Sequence, residues 1–195
     1  MGVRIGVLAV QGNVSEHVHA FRGALGHMGC VASEVLQVRD AGTIPTLDGL
    51  AIPGGESTTI SRLIDKNCMR KAIEDFEGGI FATCAGMVLV SSDSGDPKVE
   101  PLGIIGMSVD RNAFGRQRES FETELKIEGL TGGDFHAIFI RAPIVTRVDA
   151  SVRVISRISQ GIVAVEKGKH MALSFHPELG NDTRLHERFL EKIGN

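Results

Sequence analysis

The chain opens on an apolar run at residues 3–10, Val-Arg-Ile-Gly-Val-Leu-Ala-Val, which is the pattern of a strand buried on both faces of a parallel sheet. Asn13 or Ser15 can cap a following helix with apolar positions Val14, Val18, Phe21, Leu25 and Met28, and Gly29 stands where a left-handed C-terminal cap is expected. Further strands are predicted over residues 31–38, 49–52 and 80–83, with helical pieces over 58–65 and 69–76 between the last two. Residues 91–101, Ser-Ser-Asp-Ser-Gly-Asp-Pro-Lys-Val-Glu-Pro, read as a polar surface loop. Short β-rich segments follow at 103–109, 121–127, 137–140, 152–158, 162–166 and 170–174, and a helix over 183–193 ends the pattern. Strands alternating with helices imply right-handed crossovers and a parallel sheet, to which the second half adds antiparallel strands. The expectation is one α/β domain over residues 1–195.

Composition narrows the function by exclusion. The 195 residues carry 21 Lys and Arg against 24 Asp and Glu, a net charge of −3, without the positive excess that a nucleic-acid or polybasic membrane binder needs. With no Trp and no Tyr, stacking platforms for bases or sugars are poorly supplied. The three cysteines, Cys30, Cys68 and Cys84, are odd in number and widely spaced, which argues against a disulfide framework or a CxxC zinc site and points to a reducing cytoplasm. The first apolar run lacks the features of a signal peptide, and no apolar stretch approaches the ~20 residues that cross a bilayer.

In parallel sheets ligands bind at the carboxyl ends of strands, and three such junctions here are chemically rich. The first is Ile52-Pro53-Gly54-Gly55-Glu56-Ser57-Thr58-Thr59. Its glycines let backbone N–H groups approach an anion, and the next helix starts beside them. The same composition also suits a plain turn. The second is Thr83-Cys84-Ala85-Gly86, where a cysteine flanked by small residues between strand and helix fits a nucleophile elbow. Cys30 and Cys68 have no such setting and read as packing residues.

The third junction is Phe175-His176-Pro177-Glu178. His176 can take the Cys84 proton while Glu178 orients the imidazole, the logic of nucleophile, base and orienter. For His17, His19, His27, His136, His170 and His186 the default is a hydrogen-bonded core or surface residue. His17 and His19, two apart on a helix, point to different faces, so no metal is expected.

Together these junctions resemble the triad-type, or class I, glutamine amidotransferase family, and within it the glutaminase subunits of pyridoxal 5′-phosphate synthases. The resemblance spans essentially the whole chain. It rests on Leu8-Ala9-Val10-Gln11-Gly12-Asn13-Val14 with Glu16-His17, the Pro53–Thr59 and Thr83–Gly86 junctions, Phe139-Ile140-Arg141-Ala142-Pro143 and Ser174-Phe175-His176-Pro177-Glu178. Arg111-Asn112-Ala113-Phe114-Gly115-Arg116-Gln117 is the segment that separates the subfamily from other amidotransferases. Two departures are Ala82, where Gly is frequent, and Ala113, where Ser is frequent. The resemblance implies a three-layer α/β/α, flavodoxin-like fold with a mostly parallel sheet.

It also implies hydrolysis of L-glutamine to glutamate and ammonia, without a cofactor, through a γ-glutamyl thioester on Cys84, with His176 as base and acid and Glu178 as orienter. Backbone N–H groups of Gly55 and Ala85 would form the oxyanion hole. Gly54, Gly55, Glu56, Arg111, Ile140 and Arg141 would surround glutamine, whose carboxylate needs a cation (Arg111 or Arg141) and whose ammonium needs an acceptor such as Glu56. Gln11 would help to set the oxyanion loop, with Gly54-Gly55 the place for a peptide flip. Ammonia stays nucleophilic only if it is passed on unprotonated. A chain of this length has no room for a synthase module, so the implied partner is a separate pyridoxal 5′-phosphate synthase subunit. The rival readings are a cysteine hydrolase or stress protein of the intracellular-protease-like superfamily, which usually has Glu where Gln11 stands, and a non-catalytic subunit on the same fold.

Overall fold

The structure, a computed structural model, describes residues 2–30, 32–111 and 120–194. In chain order the first half runs β1 (Arg4–Leu8), α1 (Val14–His27), β2 (Glu34–Val38), β3 (Gly49–Ile52), α2 (Ser57–Lys66), α3 (Arg70–Glu74), β4 (Gly79–Thr83) and α4 (Ala85–Val90). The second half runs β5 (Ser91–Asp93), β6 (Ile105–Asp110), β7 (Ser120–Leu125), β8 (Phe135–Ile140), β9 (Ile144–Val148), β10 (Arg153–Ile158), β11 (Gly161–Lys167), β12 (His170–Leu173) and α5 (Arg184–Gly194).

The main sheet has the order β2-β1-β3-β4-β12-β11-β9-β6-β5, with β10 paired to β11. The pairings from β2 through β12 are parallel. Beyond β12 the neighbours β11, β9 and β6 pair antiparallel. All of β3 and β4 is buried, which is why their sequences are continuous apolar runs. Alternate residues feed two cores. Leu50, Ile52, Ile80 and Ala82 pack with α2, α3 and α4, while Ala51 and Phe81 pack with Phe21 of α1 and Phe189 of α5. The result is three α/β/α layers. The chain turns back after β2, so α1 and α2 leave β1 and β3 towards opposite faces. That opens a crevice at the carboxyl ends of these strands, where such sheets bind ligands.

The β-rich second half differs from expectation in three ways. His170–Leu173 joins the parallel half instead of adding an antiparallel strand, since β12 pairs with β4 in parallel register. β7 and β8 form a separate two-stranded sheet. β9 has no counterpart among the expected strands. The polar segment 91–101 is also more than a surface loop. Its first residues are β5, and Ser94 and Val99 are buried, because the Ser94 hydroxyl bonds the Asp96 and Val99 carbonyls and satisfies the turn internally. Gly29 does close α1 in a left-handed conformation, φ 68°. Val31, the first residue of the predicted second strand, and residues 112–117 of the subfamily segment lie outside the described residues.

Candidate active site

Between β4 and α4, Cys84 adopts φ 48° and ψ −106°, a conformation that costs a side-chain-bearing residue ~1–3 kcal/mol. The turn is clamped by the Cys84 N–H, which donates to the Leu173 carbonyl of β12 at 2.8 Å. Two residues on, a Cβ at Gly86 would lie 2.1 Å from the Ile52 carbonyl, so the elbow packs on β3 only with glycine there. The Cys84 Sγ donates to the Ile140 carbonyl at 3.6 Å. α4 has six residues, so its dipole supports the sulfur with fewer aligned peptides than a full-length helix would.

His176 follows β12, with its backbone N–H bonded to the Ile138 carbonyl of β8 at 2.9 Å. Its Nδ1 lies 2.7 Å from Glu178 Oε1, which leaves Nε2 for the thiol. Burial alone would lower the His176 pKa, but hydrogen bonds to Cys84 and Glu178 push it up to about 10. Glu178 goes the other way. Burial opposes its charge, and His17, His176 and the Asn13 amide together hold it down at about 2. Asn13 Nδ2 donates to Glu178 Oε1 at 3.1 Å and sits 3.3 Å from His176 Nδ1. This corrects the expected helix cap: the Asn13 side chain makes no capping bond to α1, because it is turned towards the carboxylate.

The loop after β3 faces this group. Gly54 is pressed so close that a Cβ there would lie 2.4 Å from the His176 ring and 3.2 Å from Cys84 Cβ. Its N–H donates to Thr83 Oγ1 at 3.1 Å, and its carbonyl accepts from Asn13 N–H at 3.3 Å. Gln11 Oε1 accepts from the Glu56 N–H at 3.0 Å and lies against Gly55. Glu56 caps α2, accepting from the backbone N–H groups of Thr58 and Thr59 at 3.3 and 2.7 Å and from both threonine hydroxyls. Burial raises its pKa, but these bonds outweigh burial and hold it at about 2.

These elements enclose a cleft of about 390 Å³. Of the residues expected around glutamine, Gly55, Glu56, Arg111, Ile140 and Arg141 line it, together with Cys84, Ala85, His176 and Gln11. Gly54 and Glu178 lie behind that wall. Arg111 pairs with Asp96 and, at 3.3 Å, with Glu56. Arg141 is at φ 43° and has no ion-pair partner among the described residues. Sequence reasoning missed Asn13, His17 and Asp96. The signal for His17 is its place in the Glu16-His17 pair, whereas Asp96 sits in a segment whose polar composition reads as loop. Of the other cysteines, Cys30 is half-buried, whereas Cys68 is exposed at the end of α2 and corrects its reading as a packing residue. Among the described residues there is no cluster able to hold a metal, and no helix is long and apolar enough to cross a membrane.

Residues 7–195 match the SNO glutamine amidotransferase family. A Methanoregula boonei protein named pyridoxal 5′-phosphate synthase subunit PdxT is 60% identical over 193 residues, covering 98% of this chain and 100% of its own. A Methanosphaerula palustris protein of the same name is 59% identical over 194 residues, covering 100% and 99%. A crystal structure described as a glutamine amidotransferase superposes with a TM-score of 0.86 at 41% identity, covering 98% of this chain and 99% of the other. A chain in the structure of PurLQS from Thermotoga maritima shares the fold, with a TM-score of 0.63 at 15% identity, over 100% of this chain and 99% of the other. An elbow cysteine backed by a histidine and a carboxylate, on a sheet of this order, therefore has its counterpart in sequence: the chain belongs to the SNO glutamine amidotransferase family.

Proposed function

We propose that this chain is, over residues 1–195, one glutaminase domain of a cytoplasmic pyridoxal 5′-phosphate synthase. Cys84, His176 and Glu178 are its catalytic residues. The Cys84 proton passes to His176, and the sulfur attacks the glutamine side-chain amide carbon. The tetrahedral oxyanion is met by the N–H groups of Gly55 and Ala85. As it collapses, the C–N bond breaks, His176 protonates the leaving ammonia, and a γ-glutamyl thioester remains. Water, deprotonated by His176, then hydrolyses the thioester to glutamate and frees the thiol. Glu178 keeps the His176 proton on Nδ1 and stabilises the imidazolium.

The observation that carries this reading is the strained Cys84 elbow standing beside a buried, charge-matched His176–Glu178 pair. The cleft supports the substrate assignment. Arg141, without an acidic partner among the described residues, meets the substrate carboxylate, and Gly55, Glu56, Arg111 and Ile140 complete the pocket, with Gly54 behind them. Gln11 and Asn13 hold the Gly54-Gly55 segment from the β1 side, and a partner pressing on that side would reset it. The ammonia goes to the synthase subunit, as the names of the relatives imply.

Ammonia release from glutamine, with and without the synthase subunit, tests the function, and mass mapping after reaction with a glutamine-mimicking electrophile tests the nucleophile. Partner-stimulated release with label on Cys84 is expected. No release in the complex, or label on Cys30 or Cys68, would overturn the reading.

A further inference from the structure

His17 lies on α1, is completely buried, and takes no part in the chemistry above. Its Nε2 is 3.0 Å from Thr83 Oγ1 and 3.5 Å from Glu178 Oε2. Thr83 Oγ1 in turn accepts the Gly54 N–H at 3.1 Å. Glu178 Oε2 and His17 Nδ1 have no hydrogen-bond partner among the described residues. These atoms fix the tautomer. Were the proton on Nδ1, a buried N–H donor would go unpaired and the anionic Oε2 would face a bare ring nitrogen. With the proton on Nε2, the unpaired ring nitrogen is neutral and Oε2 faces an N–H at 3.5 Å as a charge–dipole contact, which is the cheaper arrangement. Burial also keeps His17 neutral by lowering its pKa, with Glu178 opposing and His176 assisting. The groups that face the ring are Glu178 and His176 from the segment after β12, Thr83 from β4 and His186 from α5 at 6.1 Å between centroids, with Glu16 on its own helix.

Both polar groups of the Gly54 backbone are gripped, and each grip leads back to Glu178. The carbonyl is held by Asn13 N–H while the Asn13 amide donates to Glu178 Oε1. The N–H is held by Thr83, which shares His17 Nε2 with Glu178 Oε2. We propose that His17 and Thr83 are positioning residues that join the Glu178 carboxylate to the Gly54 peptide, so that the triad acid and the oxyanion loop are set as one polar network, hydrogen-bonded through Thr83 and closed on Glu178 by the 3.5 Å electrostatic contact of His17.

This inference rests on the catalytic roles given to Cys84, His176 and Glu178. Because His17 touches no substrate, its loss acts on the rate of the committed complex and not on glutamine binding. The Nε2–H is the working atom, and a glutamine side chain presents an amide N–H at about the same reach, whereas phenylalanine keeps the ring volume and removes the donor.

The test is steady-state glutaminase kinetics of the full chain in complex with the synthase subunit. His17→Phe is expected to lower kcat about 10- to 100-fold with KM changed less than about 2-fold, and His17→Gln to recover kcat to within about 5-fold of the parent. Thr83→Val is expected to behave like His17→Phe, and Thr83→Ser like the parent. If His17→Phe does not fold, as judged by circular dichroism, the Thr83 pair decides alone. Parent-like kcat in His17→Phe or in Thr83→Val, or a change in KM alone, would overturn the proposal. Cys84→Ala and His176→Asn, assayed in parallel, separate the two ideas: turnover surviving in those variants sinks the triad assignment itself.

Discussion

Asn13 and Glu178 lie 165 residues apart in sequence, yet the Asn13 amide donates to the Glu178 carboxylate at 3.1 Å. The contact joins the loop after β1 to the segment after β12, across the two intervening strands β3 and β4. It predicts that Asn13→Ala lowers glutaminase kcat by about 10-fold, the effect of removing one hydrogen bond to a buried charge. Thermal stability should fall together with kcat, because the buried Glu178 carboxylate loses a donor, and not through α1, which the side chain does not cap. Paired kcat and melting measurements check this. A large drop in melting temperature with unchanged kcat would return Asn13 to the role of a cap.

The Cys84→Ala and His176→Asn variants should each lose turnover by about 10³-fold or more while keeping the parent's circular dichroism spectrum. Glu178→Gln should lose less, about 10²-fold, since the glutamine oxygen can still accept from the Asn13 amide and from His176 Nδ1. Ammonia release in the assembled complex measures all three.

Arg111 is held by Asp96 and Glu56, and that ion-pair cluster forms one wall of the cleft. Asp96→Ala should therefore act through Arg111, raising KM for glutamine about 3- to 10-fold with little change in kcat, and Arg111→Ala should raise it at least as much. An initial-rate series over glutamine concentration checks both. An unchanged KM in both would remove Arg111 from the binding site.

Stability should pass through a maximum with pH, because buried histidines are shifted in opposite directions. Burial among Phe21, Phe81 and His17 lowers the His186 pKa to about 3 from 6.5. The unfolded chain therefore takes up a proton that the folded chain refuses, and stability is lost as pH falls from about 6.5 towards 3. His176 is raised to about 10, so its contribution is complete below 6.5 and is lost as pH climbs from there to about 10. Glu178 and Glu56, both held at about 2 against 4.5, add a further loss below pH 4.5. Melting temperatures across pH, repeated on His186→Phe, should show the acid limb flattened and the alkaline limb unchanged.

What can be read from the sequence follows from where the signal is local. β1, β3 and β4 are buried on both faces, so burial itself writes an apolar run. Cys84 and His176 announce themselves through the small residues and the proline beside them. β5, a three-residue Ser-Ser-Asp edge strand, has no such signal, and β9, five residues directly after Pro143, is too short and mixed to stand out from loop. Asn13 and His17 are invisible as site residues for a different reason. A cap-type residue before a helix and a histidine on its inner face look the same whether or not a distant carboxylate closes on them. Only the closing of β12 against β4 gives them that neighbour.

The backbone at Cys84 carries a consequence for how such a chain can evolve. Two of the three non-glycine residues with positive φ among those described, Cys84 and Arg141, line the cleft. Glycine at position 84 would relieve ~1–3 kcal/mol of strain, against ~0.5–1 kcal/mol for its greater freedom when unfolded and ~1 kcal/mol for the buried thiol it removes. These terms nearly cancel, so the inert variant should melt close to the working one. Selection for heat resistance alone would do nothing to keep cysteine at this position, so the cysteine persists only while its turnover is under selection.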